Sequence, residues 1–156
     1  VTLFCYRIFF LNLRPEHLSP LLWVVMGAAA ISANAGTSLI EIENQVAFLE
    51  TQKPFIDGIT LMIWSWATWW IPLLFLFGVG KHGINRLPFA YEPSIWSMVF
   101  PLGMYTVASV RIGQVAEFPP MIWISQIMII FALVVWVLSI TGMIRRLKSL
   151  FIQNDC

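Results

Sequence analysis

Four long apolar segments, separated by short polar connections, dominate the chain. Each has close to the roughly 20 residues that a helix needs to cross the hydrocarbon core of a bilayer. Prolines stand at or just before the start of each segment, where the first turn of a helix tolerates them. The pattern predicts four membrane-spanning helices at about residues 21–40, 55–79, 95–112 and 121–144.

A further apolar run occupies residues 1–11. It is too short to cross a bilayer. It also lacks the basic start and the small-residue cleavage site of a signal peptide. We interpret it as the end of a preceding span, so that residues 1–156 form the C-terminal portion of a single membrane domain.

The composition agrees with this pattern. Hydrophobic residues make up 59% of the chain and charged residues 11%, against about half and about a quarter in ordinary soluble domains. The sequence therefore predicts an all-α integral membrane protein whose surroundings are a lipid bilayer. The net charge of +1 and the absence of a basic tract argue against nucleic acid as a partner.

Basic residues are distributed unevenly among the connections. Lys53 and Arg111 lie in the two connections that carry most of the acids, and the other seven basic residues lie elsewhere. By the positive-inside rule, this predicts a cytoplasmic N-terminal edge and a cytoplasmic C-terminal tail in a multi-pass protein of the cell membrane. The seven are Arg7, Arg14, Lys81, Arg86, Arg145, Arg146 and Lys148.

Side-chain size alternates between the spans. The first and third are rich in Gly, Ala, Ser and Thr, whereas the second and fourth carry most of the tryptophans. Small residues allow helix backbones to approach each other or leave room for a lumen. We therefore predict that spans one and three lie inside and that spans two and four lie outside.

Candidate chemistry is sparse. His17 and His82 have no partner at ligand spacing, and Cys5 and Cys156 match no metal or redox pattern. No catalytic or phosphate-binding motif occurs, so we expect no catalytic residues, no metal and no cofactor, and hence no enzyme. Proton-coupled transporters carry ionisable groups within their spans, and their near absence here favours passive or gated conduction.

The third span contains a proline and a glycine beside a bulky aromatic residue. Pro101 removes a backbone donor, so a helix kink at Pro101 and Gly103 is expected. Phe100, Gly103, Val107 and Arg111 recur at helical spacing, which would place a hydrophobic plug below a positive charge at an outer mouth. The alternative is that Phe100 packs in a core and that Arg111 extends to the headgroups.

A face of small and polar residues on the first span could line the same lumen. It consists of Gly27, Ala30, Asn34 and Thr37. Close helix packing is the commoner reason for such a face, so both interpretations stay open.

Three segments together resemble the tellurite-resistance/dicarboxylate transporter family, which includes the bacterial tellurite-resistance protein, fungal malate and sulfite transporters and plant slow anion channels. The strongest signature is Trp96 through Tyr105, followed by Trp69-Trp70-Ile71-Pro72. The segments are RPEHLSPLLWVVMGAAAISANAG (14–36), WSWATWWIPLLFLFGVGKH (64–82) and YEPSIWSMVFPLGMYTVASVRIG (91–113).

The resemblance implies a bundle of ten helices, arranged as five helical hairpins around a central pore. The four spans would be the seventh to tenth helices, and residues 1–11 would end the sixth. In the family, a phenylalanine on the ninth helix occludes the pore, and Phe100 occupies the matching position. A homotrimer is implied for the complete protein.

The function expected from these features is the transmembrane passage of small anions through a phenylalanine-gated pore. The anion would be tellurite or another oxyanion, sulfite, a C4-dicarboxylate such as malate, or halide or nitrate. The alternative is a structural or assembly subunit of a membrane complex without a permeation path.

Overall fold

Four helices make up most of the described chain. The computed structural model describes residues 6, 10, 19–42, 47–80 and 91–154. The helices are α1 (Trp23–Glu41), α2 (Ala47–Val79), α3 (Trp96–Val115) and α4 (Pro119–Asn154), and short 3-10 turns at Pro20–Leu22 and Pro93–Ile95 precede α1 and α3. All four helices are long and apolar enough to cross a membrane, which confirms the predicted all-helical membrane protein with four spans.

Some predicted features lie largely outside the described residues. Within the predicted end of a preceding span, only Tyr6 and Phe10 are described; both are helical, and their rings stack at 5.0 Å. The basic residues of the connections at 11–18 and 81–90 are not described either, so the orientation of the chain stays a prediction.

Two helices extend well beyond the predicted spans. α2 has 33 residues and α4 has 36, which gives each a length of about 50 Å at the rise of an α-helix. The hydrocarbon core is only about 30 Å thick, so polar end turns project from it. The hydropathy pattern detects only the apolar part of each helix. The helices themselves are longer, so α2 begins before residue 55 and α4 ends after residue 144.

The prolines act in two different ways. Pro20 and Pro93 begin 3-10 turns, and Pro119 begins α4, as expected for a first-turn position. Pro54, predicted to precede its span, instead lies inside α2. Its side chain is exposed, so solvent can bind the carbonyl group that loses its donor.

α1 and α3 form the centre of the bundle. They pack along each other, α2 packs along α1, and α4 packs along α3, whereas α2 and α3 touch over a short stretch. The predicted inner and outer helices are confirmed for these four. The ten-helix arrangement and the central pore concern more helices than these four, and they stay predictions.

Glycines permit the closest helix contacts. A Cβ atom at Gly27 would lie 2.8 Å from Cγ of Pro101, and one at Gly113 would lie 3.0 Å from Cγ1 of Ile122. Replacing Gly27 would require a shift of Pro101, whereas at Gly113 the side chain of Ile122 would have to give way slightly. Small residues therefore hold α1 against α3 and α3 against α4.

Candidate functional site

Helix α3 continues through the proline that interrupts its hydrogen-bond ladder. The helix runs from Trp96 to Val115 with Pro101 in its interior. Pro101 is buried against Gly27 of α1, so the proline ring is a packing surface between the two inner helices. The helical conformation also includes Gly103, and a kink at these two residues stays a prediction.

One face of α3 is not covered by other helices in the described part of the chain. We call it the open face, and it consists of Phe100, Gly103, Val107 and Arg111. Phe100 is 59% exposed and Val107 46% exposed, and a Cβ atom at Gly103 would meet nothing within 4 Å. Arg111, with a side-chain exposure of 37%, continues the same face toward the end of the helix. Phe100 is therefore not covered by the described helices, and both its role as a gate and the packed-aromatic alternative stay predictions.

The guanidinium group of Arg111 connects α3 to α1. Its Nη1 donates to Oγ of Ser38 at 3.0 Å, and its Nε lies 3.8 Å from Oε1 of Glu41. The ion pair is exposed and long, so it neutralises the arginine only in part. The positive charge thus lies at one end of the open face.

Sequence reasoning missed Ser38 and Glu41 as partners of this arginine. A usable signal was present, because spans one and three are predicted to cross the membrane in the same direction. Their C-terminal ends then meet at one surface, where an acid that ends α1 can reach a base that ends α3. Only the packing of α1 against α3 shows which residues pair.

The four residues predicted on α1 lie in helix contacts. Gly27 contacts Pro101, Ala30 and Thr37 are fully buried, and Asn34 is 8% exposed. Nδ2 of Asn34 donates to the carbonyl oxygen of Met104 at 3.2 Å. Among the described helices these residues line no open space, because they are the small face that lets α3 approach. Their placement corresponds to the close-packing interpretation.

A different, exposed stripe of α1 includes Ser38, the residue that Arg111 contacts. Ser38, which accepts from Arg111, is exposed. Ile31 and Val24 precede it at intervals of seven residues, or about two helical turns, and they are 42% and 51% exposed. The open surface is therefore mainly apolar, with a polar end at Ser38 and Arg111.

The opposite face of α3 is fixed by hydrogen bonds to α2, one of them buried and one partly buried. Nε1 of Trp64 donates to Oγ of Ser109 at 2.9 Å, and the hydroxyl groups of Thr68 and Tyr105 lie 2.8 Å apart. The rings of Trp64 and Tyr105 stack with centroids 5.9 Å apart. Such bonds are worth forming where no water competes, and they hold α3 in a fixed orientation.

No metal-binding cluster of His, Cys, Asp or Glu occurs among residues 6, 10, 19–42, 47–80 and 91–154. His17, His82, Cys5 and Cys156 are outside these ranges. What the described residues do present is an apolar open face with one cation at its end. That arrangement suits the passage or binding of an anion rather than acid–base chemistry.

Comparison with known proteins gives consistent matches. The voltage-dependent anion channel family matches residues 1–144. Two uncharacterized membrane proteins of Mycobacterium tuberculosis, from the strains CDC 1551 and H37Rv, are each 35% identical over 143 residues, which covers 92% of this chain and 72% of theirs. An uncharacterized transporter of Methanocaldococcus jannaschii is 21% identical over 144 residues, which covers 92% of this chain and 40% of the relative.

No solved structure matches the chain. The family match covers most of the chain, and the mycobacterial relatives match over most of their own length. These matches confirm the resemblance that the three sequence segments carry. The chain belongs to the voltage-dependent anion channel family.

Proposed function

We propose that this protein conducts small anions across the cell membrane, and that Phe100 closes the path. The observation that carries the proposal is the open face of α3, on which Phe100 is 59% exposed while its neighbour Pro101 is buried. Membership of an anion-channel family supplies the class of permeant. The face needs further helices around it to enclose a lumen.

Phe100 is suited to close a narrow path without packing in the helix core. Its side chain is 59% exposed, while Pro101 holds the adjacent backbone against Gly27. Gly103 adds no side chain one turn further along. An aromatic ring in this position excludes water and ions from a lumen and forms a hydrophobic gate.

Arg111 would raise the local anion concentration at the outer mouth. It lies about three helical turns from Phe100 along the same face. Its charge is held by Ser38 and only in part compensated by Glu41. Attraction of this kind acts on the rate of entry and weakens with ionic strength.

The finer features of the proposal follow the family pattern. The permeant is tellurite or another oxyanion, sulfite, a C4-dicarboxylate such as malate, or halide or nitrate. The complete protein is a homotrimer, with ten helices in each subunit and a cytoplasmic C-terminal tail. A helix kink at Pro101 and Gly103 shapes the lumen beside the gate.

The test compares anion currents of the full-length wild-type protein with those of Phe100→Ala in planar bilayers. We expect a larger current in the variant, with anions preferred over cations in reversal potentials under a salt gradient. The matched control is Phe75→Ala, because Phe75 is 55% exposed but lies on α2. The control should conduct like the wild type.

Three results would count against the proposal. If a folded and inserted Phe100→Ala variant carried no more current than the wild type, Phe100 would not be the gate. An equal increase of current in Phe75→Ala would indicate a general loosening of the bundle. No current from any variant would favour a structural subunit of a membrane complex. In that case Phe100 would pack against further helices of the complex, and Phe100→Ala would lower the free energy of unfolding by about 3–5 kcal/mol.

A further inference from the structure

A basic cleft lies at the end of the bundle away from Arg111. It has a volume of about 610 Å³ and lies between the residues that precede α3 and the last turns of α4. Its walls include Tyr91, Ile95, Leu138, Arg145, Arg146 and Ser149. None of these residues belongs to the open face of α3.

The cleft has a fixed wall. A Cβ atom at Gly142 would lie 2.5 Å from Cδ2 of Tyr91, so only a glycine admits this ring beside α4. The tyrosine is also held by hydrogen bonds: Nη1 of Arg146 donates to its carbonyl oxygen at 3.1 Å, and Nε1 of Trp96 donates to its hydroxyl at 3.0 Å. The cavity is therefore a built feature, not a gap between loose side chains.

Positive charge in the cleft is not compensated by the described residues. No carboxylate among residues 19–42, 47–80 and 91–154 forms an ion pair with Arg145 or Arg146. The nearby Glu92 accepts instead from Oγ of Ser94 at 3.1 Å. Residues 81–90, which precede Tyr91, include Lys81 and Arg86 and no acid.

The lining is amphipathic along the length of α4. Leu138, Gly142, Arg145 and Ser149 follow one another at helical spacing. Leu138 is 55% exposed and lies within the apolar segment, whereas Arg145 directly follows the end of that segment. An apolar wall thus leads from the level of the hydrocarbon to a basic site at the level of the headgroups.

We propose that this cleft binds the phosphate headgroup of an anionic phospholipid. Arg145 would donate to the phosphate oxygens, together with the donors of Arg146 that Tyr91 does not use. The hydroxyl group of Ser149, which donates to the carbonyl oxygen of Arg146 at 2.8 Å, forms the polar end of the wall. An acyl chain would lie along Leu138 and Ile95. The apolar wall favours a phospholipid over inorganic phosphate as the ligand. A phospholipid can bury its acyl chain against this wall, whereas a free phosphate ion has no apolar part to bury there.

The test is native mass spectrometry of the full-length protein, titrated with phosphatidylglycerol or with zwitterionic phosphatidylcholine. We expect the protein to prefer phosphatidylglycerol, and Arg145→Gln to lower that affinity about fivefold, the effect of one basic residue near an anionic headgroup. The matched control is Lys148→Gln, which removes the same charge from an exposed residue of α4 that does not line the cleft. Its loss should be smaller.

A second arm separates lipid from free phosphate. Leu138→Ser should lower the affinity for phosphatidylglycerol, while calorimetry with inorganic phosphate on protein in phosphatidylcholine nanodiscs should show no binding at lipid-like affinity. Equal losses in Arg145→Gln and Lys148→Gln, or equal binding of the two lipids, would overturn the proposal. Strong binding of inorganic phosphate that is indifferent to Leu138→Ser would replace the lipid by a soluble phosphate.

Discussion

The two faces of α3 are both largely apolar, yet they have different surroundings. On one face, Pro101 and Tyr105 are buried against α1 and α2, and Ser109 accepts from an indole. On the other, Phe100 and Val107 are exposed. Hydrophobicity does not separate the faces, because lipid is as apolar as a side chain. The packed face is the one with small neighbours and with polar groups that need partners.

This contrast also separates structure from function within one helix. The packed face positions α3, and the open face presents Phe100 and Arg111 to whatever surrounds the helix. Substitutions on the first face should act on folding, and substitutions on the second face should act on conduction. The following variants test that division, from the largest expected loss of stability to an expected gain.

Gly27→Ala should be the most destabilising of the four changes. Its methyl group would lie 2.8 Å from Cγ and 3.3 Å from Cα of Pro101, and neither the ring nor the backbone can rotate away. Overpacking of this kind costs about 1–3 kcal/mol. The free energy of unfolding in mixed detergent micelles measures the loss.

Gly103→Ala is its matched control, because its methyl group would meet nothing within 4 Å. The same substitution in a helix that has room should be neutral or should stabilise by up to about 1 kcal/mol. If both variants lost stability equally, the close approach of α1 to α3 would not be the reason.

Trp64→Phe should have a smaller effect, since it removes the bond to Ser109 but keeps an aromatic ring against Tyr105. Hydrogen bonds between membrane helices contribute about 0.6 kcal/mol on average. We expect a loss of about 1 kcal/mol in the same unfolding measurement. Trp69→Phe, at a residue that is 57% exposed on the same helix, should leave stability unchanged; a similar loss there would contradict the special role of the buried bond.

Arg111→Gln should alter conduction more than stability. The ion pair with Glu41 is exposed and long, and pairs of this kind contribute about 0–1 kcal/mol. Anion current should fall at an ionic strength of about 0.01 M and match the wild type at about 1 M, because the Debye length shortens from about 30 Å to about 3 Å. Arg111→Lys keeps the charge and should restore the current; a deficit that persists at high salt would point to a structural role.

Glu117→Gly should be the one of the four changes that stabilises the protein, with a gain of about 0.5–1 kcal/mol. Glu117 has a φ of 49° in the turn that ends α3, where N–H of Phe118 donates to the carbonyl oxygen of Gly113 at 3.1 Å. Glycine adopts this left-handed conformation without steric cost. Ala116→Gly, at a φ of −84°, is the control and should not stabilise; equal gains in both variants would indicate another cause.

The sequence was a reliable guide wherever the signal is local. Hydropathy located the four spans, and side-chain size separated inner from outer helices. It was a poorer guide to where each helix begins and ends and to which residues contact each other across helices. Pro54 lies inside α2 because helix formation continues into solvent, beyond the apolar segment that the pattern detects.

The face of α1 shows why the rest could not be predicted. Gly27, Ala30, Asn34 and Thr37 form a small, partly polar stripe that suits either a lumen or a tight contact. The structure places them in the contact, with Asn34 bonded to Met104. The residue of α1 that contacts Arg111 on the open face of α3 is Ser38, and nothing in the local pattern distinguishes it from lipid-facing residues.

The sequence by itself determined that the described chain has four helices long and apolar enough to cross a membrane, which of the four are central, and to which family the chain belongs. These features depend on composition, side-chain volume and motif, all of which are properties of the chain alone. Only the tertiary structure decided which side of each inner helix is covered and which partners Arg111 finds. Those outcomes depend on how closely two backbones approach, and that distance is set jointly by residues far apart in sequence, such as Gly27 and Pro101.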